Sequence, residues 1–344
     1  MLLKMTDLSH QYSNQKHSTF SGINLNLEAG EIFCLLGPSG CGKSTLLQCL
    51  LGFEEIKTGR IEFKKQDLRG VPAEKRGIGL VFQDYALFPH MTVGKNICFG
   101  IHHLPSNEQQ QRLSSLLKTV DLIGYENKFP HQLSGGEQQR VAIARAIAPS
   151  PALILFDEPF SNLDPALRKT LRFDLKKLLK DEGITGFFIT HDQEEAFDLA
   201  DRVALMSEGK IHQVSTPENL YHHPETEFVA RFIGSEIFLK GKVSAESKDI
   251  ETAMGKLSLA HSFTHHAEVK IYLPFQSLSL SQIAADHAVP ANIVRRSFQG
   301  ETYSYDLEVP SLELDIKNFR DSTAFSSNQM IYLKIDLEKL EKVF

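Results

Sequence analysis

Gly37-Pro38-Ser39-Gly40-Cys41-Gly42-Lys43-Ser44-Thr45 fits the pattern G-x-x-x-x-G-K-[ST] without a gap. The apolar run Ile32-Phe33-Cys34-Leu35-Leu36 precedes it, as expected for a strand buried on both faces. Leu46-Leu47-Gln48-Cys49-Leu50-Leu51 follows, a short helix that Gly52 should close. Strand, glycine loop and helix are the context that makes such a loop a phosphate cradle. Glycines let backbone N–H groups close around phosphate oxygens where a Cβ would intrude. Lys43 would neutralise charge on the β- and γ-phosphates, and the Ser44 hydroxyl would reach Mg²⁺. The pattern alone arises by chance in roughly one chain per hundred at average glycine usage, and its flanks make chance a poor explanation.

Two further buried-strand runs end in polar residues. Leu153-Ile154-Leu155-Phe156 leads into Asp157-Glu158. Successive strand residues point to opposite faces, but where the strand ends a turn can bring both carboxylates to one crevice. There Asp157 would organise Mg²⁺, and Glu158 would accept a proton from an attacking water. An acidic pair after a strand is ordinarily a solvated turn. The lysine loop upstream and Pro159-Phe160-Ser161-Asn162-Leu163-Asp164 downstream argue against that here. Asp164-Pro165 reads as an N-cap with proline at the first helical position, opening a helix through Leu167, Leu171, Leu175 and Leu178. Gly186-Phe187-Phe188-Ile189-Thr190 is the other run and delivers His191. Between the glycine loop and the acidic pair lies Leu133-Ser134-Gly135-Gly136-Glu137-Gln138-Gln139-Arg140. Ser134 with Glu137 three residues on is a capping box, and a capped helix N-terminus with bare glycines is also a good anion site.

In this order, and over residues 1–235, these elements resemble the ATP-binding subunits of ABC transporters, with Leu133–Arg140 similar to that family's signature sequence. The resemblance implies an α/β P-loop NTPase: a RecA-like core with an ABC β-subdomain and a helical subdomain at about 88–145. It implies ATP and Mg²⁺ as cofactors. Gly37, Ser39, Gly40, Cys41, Gly42, Lys43, Ser44 and Thr45 would hold the phosphates, and Tyr12 would stack on adenine. Ser44, Asp157 and Gln83 would hold the metal, while Glu158, His191, Gln83 and Lys43 carry the chemistry. Ser134, Gly135 and Gly136 would contact nucleotide held by a second copy of the chain, and Ser161–Asp164 would run along that homodimer interface, with Asp164, like Gln83, among the nucleotide-binding residues.

Composition sets bounds consistent with this. The 344 residues suffice for two domains; 42% are hydrophobic and 23% charged, as in an ordinary globular protein. Met1–Asp7 lacks the apolar core of a secretory leader, and no stretch approaches the ~20 apolar residues of a membrane span. The four cysteines (Cys34, Cys41, Cys49, Cys98) form no C-x-x-C pair and suit a reduced compartment. A net charge of −6 without a long basic run gives nucleic-acid binding no support. His102-His103, His222-His223 and His265-His266 read as surface histidines, since adjacent residues do not share a face.

Any membrane association would therefore run through a protein partner, and the resemblance to importer ATPases implies transmembrane permease subunits at the cytoplasmic face of the membrane, in a system with an extracytoplasmic solute-binding protein. Gln83-Asp84-Tyr85-Ala86-Leu87-Phe88-Pro89-His90-Met91-Thr92-Val93 is the expected docking surface, with core packing of Tyr85 or Phe88 as the alternative. After Ile233-Gly234 the pattern changes. Lys270–Leu273, Thr302–Val309, the alternating Ser311–Lys317 and Met330–Ile335 read as short strands, so 236–344 is expected to be an all-β barrel. It resembles the oligonucleotide-fold-like accessory domain of sugar, polyamine and ferric-ion importers. That family's Arg-Pro-Glu is here Leu273-Pro274-Phe275, which weighs against ligand sensing and leaves extension of the dimer interface as the alternative.

Leu51-Gly52-Phe53-Glu54 and Ala146–Pro151 resemble ferric-ion importers, so ferric iron is the expected cargo, with polyamine, sugar or another ion as alternatives. A non-transport ABC ATPase is the remote rival, lacking here the usual second ATPase unit or coiled-coil insertion. From the sequence, a thiol reagent should inhibit through Cys41 with ATP protecting; unchanged activity with Cys41 fully modified would refute this.

Overall fold

The run Ile32–Leu36 is a strand buried along its whole length, and it organises the first half of the molecule. The computed structural model describes residues 1–13, 17–234, 237–243, 249–258, 268–285, 287–327, 329–340 and 343–344. Contacts divide the chain into two units, Met1–Glu218 and Asn219–Phe344.

In the first unit β1 (Leu3–His10) and β2 (Phe20–Leu27) precede β3 (Ile32–Leu36) and α1 (Lys43–Leu51). Then come β4 (Thr58–Phe63), β5 (Gln66–Asp67) and β6 (Gly79–Val81). The helical stretch holds α2 (Val93–Cys98), α3 (Ser106–Thr119) and α4 (Gly135–Ile147). The unit continues with β7 (Leu153–Asp157), α5 (Pro165–Asp181), β8 (Thr185–Thr190), α6 (Gln193–Leu199), β9 (Arg202–Ser207) and β10 (Lys210–Ser215). Two sheets result. One is antiparallel, ordered β2-β1-β4-β5; the other is ordered β10-β9-β3-β8-β7-β6. Within the second, β9, β3, β8, β7 and β6 pair in parallel, and only β10 is antiparallel.

Helix α1 joins the sheets. Its Leu46, Leu47 and Leu50 share one apolar cluster with Leu3, Leu8 and Ile61 of the antiparallel sheet and Phe33, Leu35, Leu155 and Phe187 of the parallel one. Leu46 and Leu50 are fully buried, each contributing about 2 kcal/mol of transfer free energy. Gly52, left-handed at φ 84°, closes the helix. The last carbonyls of α1 have a second partner that sequence periodicity does not reveal. Arg76 Nη1 donates to Cys49 O (2.8 Å) and Leu50 O (2.7 Å), while Nε donates to Val71 O (2.9 Å) and Nη2 to Leu68 O (3.2 Å).

The second unit begins in α7 (Pro217–His222) and α8 (Glu227–Ile233) and is otherwise antiparallel β. Its strands are β11 (Phe238–Val243), β12 (Asp249–Thr252), β13 (Gly255–Ser258), β14 (Glu268–Tyr272), β15 (Leu278–Ser281), β16 (Ala288–Phe298), β17 (Tyr303–Val309), β18 (Leu314–Asp321) and β19 (Met330–Ile335). They form sheets ordered β13-β12-β11-β14 and β15-β19-β16-β17-β18. Both sheets line one core, with Leu239, Ile250 and Ile271 from the first and Ile293, Leu307 and Leu333 from the second. Tyr305 lies fully buried in it, its hydroxyl donating to Thr323 O (2.6 Å) and accepting from Phe325 N (2.9 Å).

Ser311–Lys317 corrects the expectation of one alternating strand. Pro310–Leu312 is a 3₁₀ turn, Glu313 is left-handed at φ 52°, and the strand starts only at Leu314. Pro310 has no N–H for a ladder, so apolar alternation here straddles a turn. Of the histidine pairs, His102, His103, His222 and His223 are exposed, and His265-His266 lies outside the described residues. Among the described residues no helix is long and apolar enough to cross a membrane.

Arg76→Ala would leave buried carbonyls at the end of α1 without partners. A loss on the order of 3 kcal/mol in urea unfolding is expected; a change under about 0.5 kcal/mol would show that Arg76 is dispensable there.

Candidate functional site

The glycine loop leaves the C-terminal end of β3 and runs directly into α1. Gly37 needs its missing side chain: a Cβ there would lie 2.0 Å from Met206 O. Gly42 is the N-cap of α1 at φ 108° and offers no side-chain cap, so the first-turn N–H groups face outward for an anion. Lys43 curls back around the loop, its Nζ donating to Gly37 O (2.8 Å) and Pro38 O (2.9 Å). Ser39, Gly40 and Ser44 are exposed, and Thr45 is half-buried. Tyr12 lies against α1, donating its hydroxyl to Gln48 Oε1 (3.2 Å) and standing 3.3 Å from Thr45 Oγ1.

Cys41 is the one cysteine of the glycine loop. It is 7% exposed, and burial, opposed by the Lys43 charge, pushes its thiol above the ordinary range. Thiolate is the reactive form, so alkylation of the folded chain is expected to be slow rather than ready.

At the ends of β7 and β8 the acidic pair meets the histidine. Glu158 takes a left-handed conformation (φ 44°) and donates its N–H to Ile189 O at 3.0 Å. Glu158 Oε1 sits 3.1 Å from His191 Nδ1. The left-handed residue breaks strand alternation, which is how the turn reorients Glu158 relative to Asp157. Asp157 is half-buried. Desolvation and then the Glu158 charge raise its pKa, while Lys43 opposes them from the loop.

The exposed Gln83 follows β6, and its backbone carbonyl accepts from Asn162 Nδ2 (3.0 Å). Asp164 caps α5, accepting from Leu167 N (3.0 Å). Ser134 and Glu137 form the capping box of α4. Glu137 Oε2 accepts from Ser134 N (2.7 Å) and Ser134 Oγ (2.8 Å), and those donors hold its carboxyl below the usual range. Gly136 packs so closely on Leu167 that a Cβ would lie 2.7 Å from Cδ2. Glu158 and His191 are thus in direct contact, and the neighbouring Asp157 carboxyl feels the charges of Glu158 and Lys43. Ser134, Gly135 and Gly136 instead border Leu163 and Leu167, and no hydrogen bond among the described residues ties them to Gly37–Thr45.

In Gln83–Val93, Tyr85 turns inward and is buried, which follows the packing alternative. The surface carries Phe82, 38% exposed, and Phe99, 47% exposed; the Phe99 ring lies 4.5 Å from that of Phe88. Arg145 of α4 fixes this loop, donating to Tyr85 O (2.8 Å) and Ala86 O (2.7 Å), both residues left-handed. The fully buried Asn96 bonds Phe88 through N–H and carbonyl. Neither residue was legible as a site residue, because side-chain bonds to backbone carbonyls leave no spacing rule in a sequence.

Because the folded-state pKa of Asp157 is raised, the folded chain holds that proton more tightly than the unfolded chain. Its stabilising contribution is complete below the ordinary aspartate pKa and is lost as pH rises through the raised value. Asp157→Asn is therefore expected to raise the Tm of nucleotide-free protein at pH 7 and to flatten its acid-side dependence. A lower Tm by calorimetry would contradict this.

The sequence profile of the family described as ABC transporter matches residues 20–161. The spermidine/putrescine import ATP-binding protein PotA of Marinobacter nauticus is 38% identical over 310 residues, 88% of this chain and 83% of that one. The sulfate/thiosulfate import ATP-binding protein CysA of Halalkalibacterium halodurans is 38% identical over 328 residues, 94% of this chain and 90% of that one. Among solved structures, a dimeric post-hydrolysis state of an ATP-binding cassette bound to ADP and Pi superposes with a TM-score of 0.56 at 30% identity, covering 63% of this chain and 99% of that one. With the glycine loop, acidic pair and capped Ser134 helix in place, the chain belongs to the ABC-transporter family as an ATP-binding subunit of the importer type, and it is an ATPase.

Proposed function

We propose that this chain is the ATP-hydrolysing subunit of a polyamine importer, working as a homodimer beneath transmembrane permease subunits. Residues 1–235 would form the ATPase and 236–344 an accessory barrel. The cargo reading rests on the match to a spermidine/putrescine import protein across 88% of the chain. These relatives carry polyamine and sulfate/thiosulfate names, so the ferric-ion expectation draws nothing from them. Sulfate/thiosulfate is the second reading, favoured by a match that spans 94% of the chain. Placement at the cytoplasmic face of the membrane, and supply of cargo by an extracytoplasmic binding protein, belong to the same proposal.

The observation that supports the hydrolytic role is the Glu158–His191 contact at 3.1 Å, beside an Asp157 carboxyl that feels Lys43. In this reading Tyr12 flanks adenine, and N–H groups from Gly37 to Thr45 take the phosphates. Glu158 accepts the proton of a water whose oxygen bonds to the γ-phosphorus as the bond to the β–γ bridging oxygen breaks. His191 orients Glu158 and the γ-phosphate, and Lys43 stabilises the charge that develops. Ser44, Gln83 and Asp157 offer hard oxygen donors that suit Mg²⁺; when bound it would neutralise charge between the β- and γ-phosphates. Ser134 and Gly136 of the partner would complete the site, with Asp164 at the interface, so hydrolysis would depend on dimer closure.

Glu158→Gln is expected to lower kcat about 10²–10⁴-fold, to keep ATP binding and to accumulate an ATP-dependent dimer in gel filtration. A strictly monomeric Glu158→Gln protein at saturating ATP counts against the shared site. For the cargo, ATPase of the complex solubilised with its permease is expected to rise with spermidine or putrescine. Stimulation by sulfate instead would select the second reading, and by ferric iron would restore the first expectation.

A further inference from the structure

We propose that Arg168 is a positioning residue of the hydrolytic site, acting through the segment Ser161–Asp164. The inference rests on the hydrolysis reading above. Gln83, Glu158 and His191 follow three different strands, and each lies in a loop or turn outside regular structure. The end of the sheet ties Glu158 to Ile189 through one backbone bond, and Glu158 touches His191, but neither contact reaches Gln83.

Ser161–Asp164 supplies a frame that does. Asn162 Nδ2 donates to Gln83 O at 3.0 Å. Ser161 donates to Glu158 O through its hydroxyl (3.0 Å) and its N–H (3.3 Å). Arg168, in the first turns of α5, folds back over the segment. Its Nε donates to Leu163 O (2.9 Å) and its Nη2 to Ser161 O (3.2 Å), the two carbonyls that flank Asn162. The remaining nitrogen, Nη1, lies 3.8 Å from Asp192 Oδ2. Asp192 is the residue after His191. It caps α6 by accepting from Glu194 N (2.8 Å) and Glu195 N (3.3 Å), and its own N–H donates to Thr190 Oγ1 (2.9 Å). One guanidinium therefore faces the loop that holds Gln83 and Glu158 on one side and the His191 corner on the other.

A cation this close to a helix N-terminus works against the helix dipole. Helix formation alone gives no reason for an arginine there, whereas two carbonyls and a carboxylate do. The three contacts use three nitrogens of a planar fork, a geometry that the single ammonium of lysine does not reproduce. One turn on, Arg172 reinforces the link, standing 3.6 Å from Glu194 and 3.4 Å from Asp198.

The test is steady-state ATPase of the full chain, with nucleotide affinity read separately by a fluorescent ATP analogue. Arg168→Ala is expected to lower kcat about 10- to 100-fold, the scale set by ångström misplacement of reacting groups, with KM and analogue Kd within about threefold of the parent. Arg168→Lys is expected to stay well below parental kcat. Arg168→Ala combined with Asn162→Ala should lose less than the product of the single losses, because both act on one frame. Parental kcat in Arg168→Ala, full recovery by Arg168→Lys, or a kcat loss matched by a rise in KM and Kd would each overturn the proposal. If Arg168→Ala does not fold, Asp192→Asn reads the same link from the other side: reduced kcat at constant KM supports it, and parental kcat overturns it. An inactive parent, or a fully active Glu158→Gln, would instead point to failure of the hydrolysis reading itself.

Discussion

Parallel pairing of β3 with β8 and β9, and of β7 with β8 and β6, is the constraint from which the rest of the first unit follows. Parallel strands present all their C-terminal ends at one edge of a sheet, and ligands of open α/β sheets bind outside that edge. The glycine loop follows β3, Gln83 follows β6, Asp157 ends β7 with Glu158 next, and His191 follows β8. These residues are far apart in the chain and belong to one neighbourhood only because the strands run the same way. The strands tolerate burial on both faces because they are apolar throughout, as β3 shows at all five positions.

The edge itself is built against local preference. Glu158 is left-handed, which costs a non-glycine residue on the order of 1 kcal/mol or more, and Asp157 is a carboxylate whose charged form is penalised by burial. Neither helps the fold. Both are carried by apolar packing around α1, in which leucines of the helix meet both sheets. Such a division, with stability from the core and chemistry from strained or desolvated residues at its rim, is the usual place for local rules to be broken.

The second unit obeys different physics. Its two antiparallel sheets share a core and place the fully buried Tyr305, with both hydroxyl bonds satisfied, at the centre. Here the alternating pattern was a sound guide to strand existence and a poor guide to strand ends. Leu314 and Ile316 look continuous with Leu312 in the sequence, yet a proline turn and left-handed Glu313 intervene. Alternation reports which side chains are apolar, and a turn that keeps the same residues buried preserves it.

By itself the sequence determined the elements whose causes are local: the buried runs Ile32–Leu36 and Leu153–Phe156, the glycine loop, the Ser134–Glu137 box and the Asp164 cap, all formed as their residues dictate. Only the tertiary structure decided that Tyr85 turns inward, that Arg76 finishes α1, that Arg145 and Asn96 shape the Phe88 loop, and that Arg168 faces both Ser161 and Asp192. The physical reason is the nature of the partners. A cap or a strand is specified by side chains within a few residues of each other, so its signal is periodic or motif-like. A buried arginine that donates to carbonyls recruits groups every residue possesses, and which carbonyls come within reach is settled only when the chain has packed.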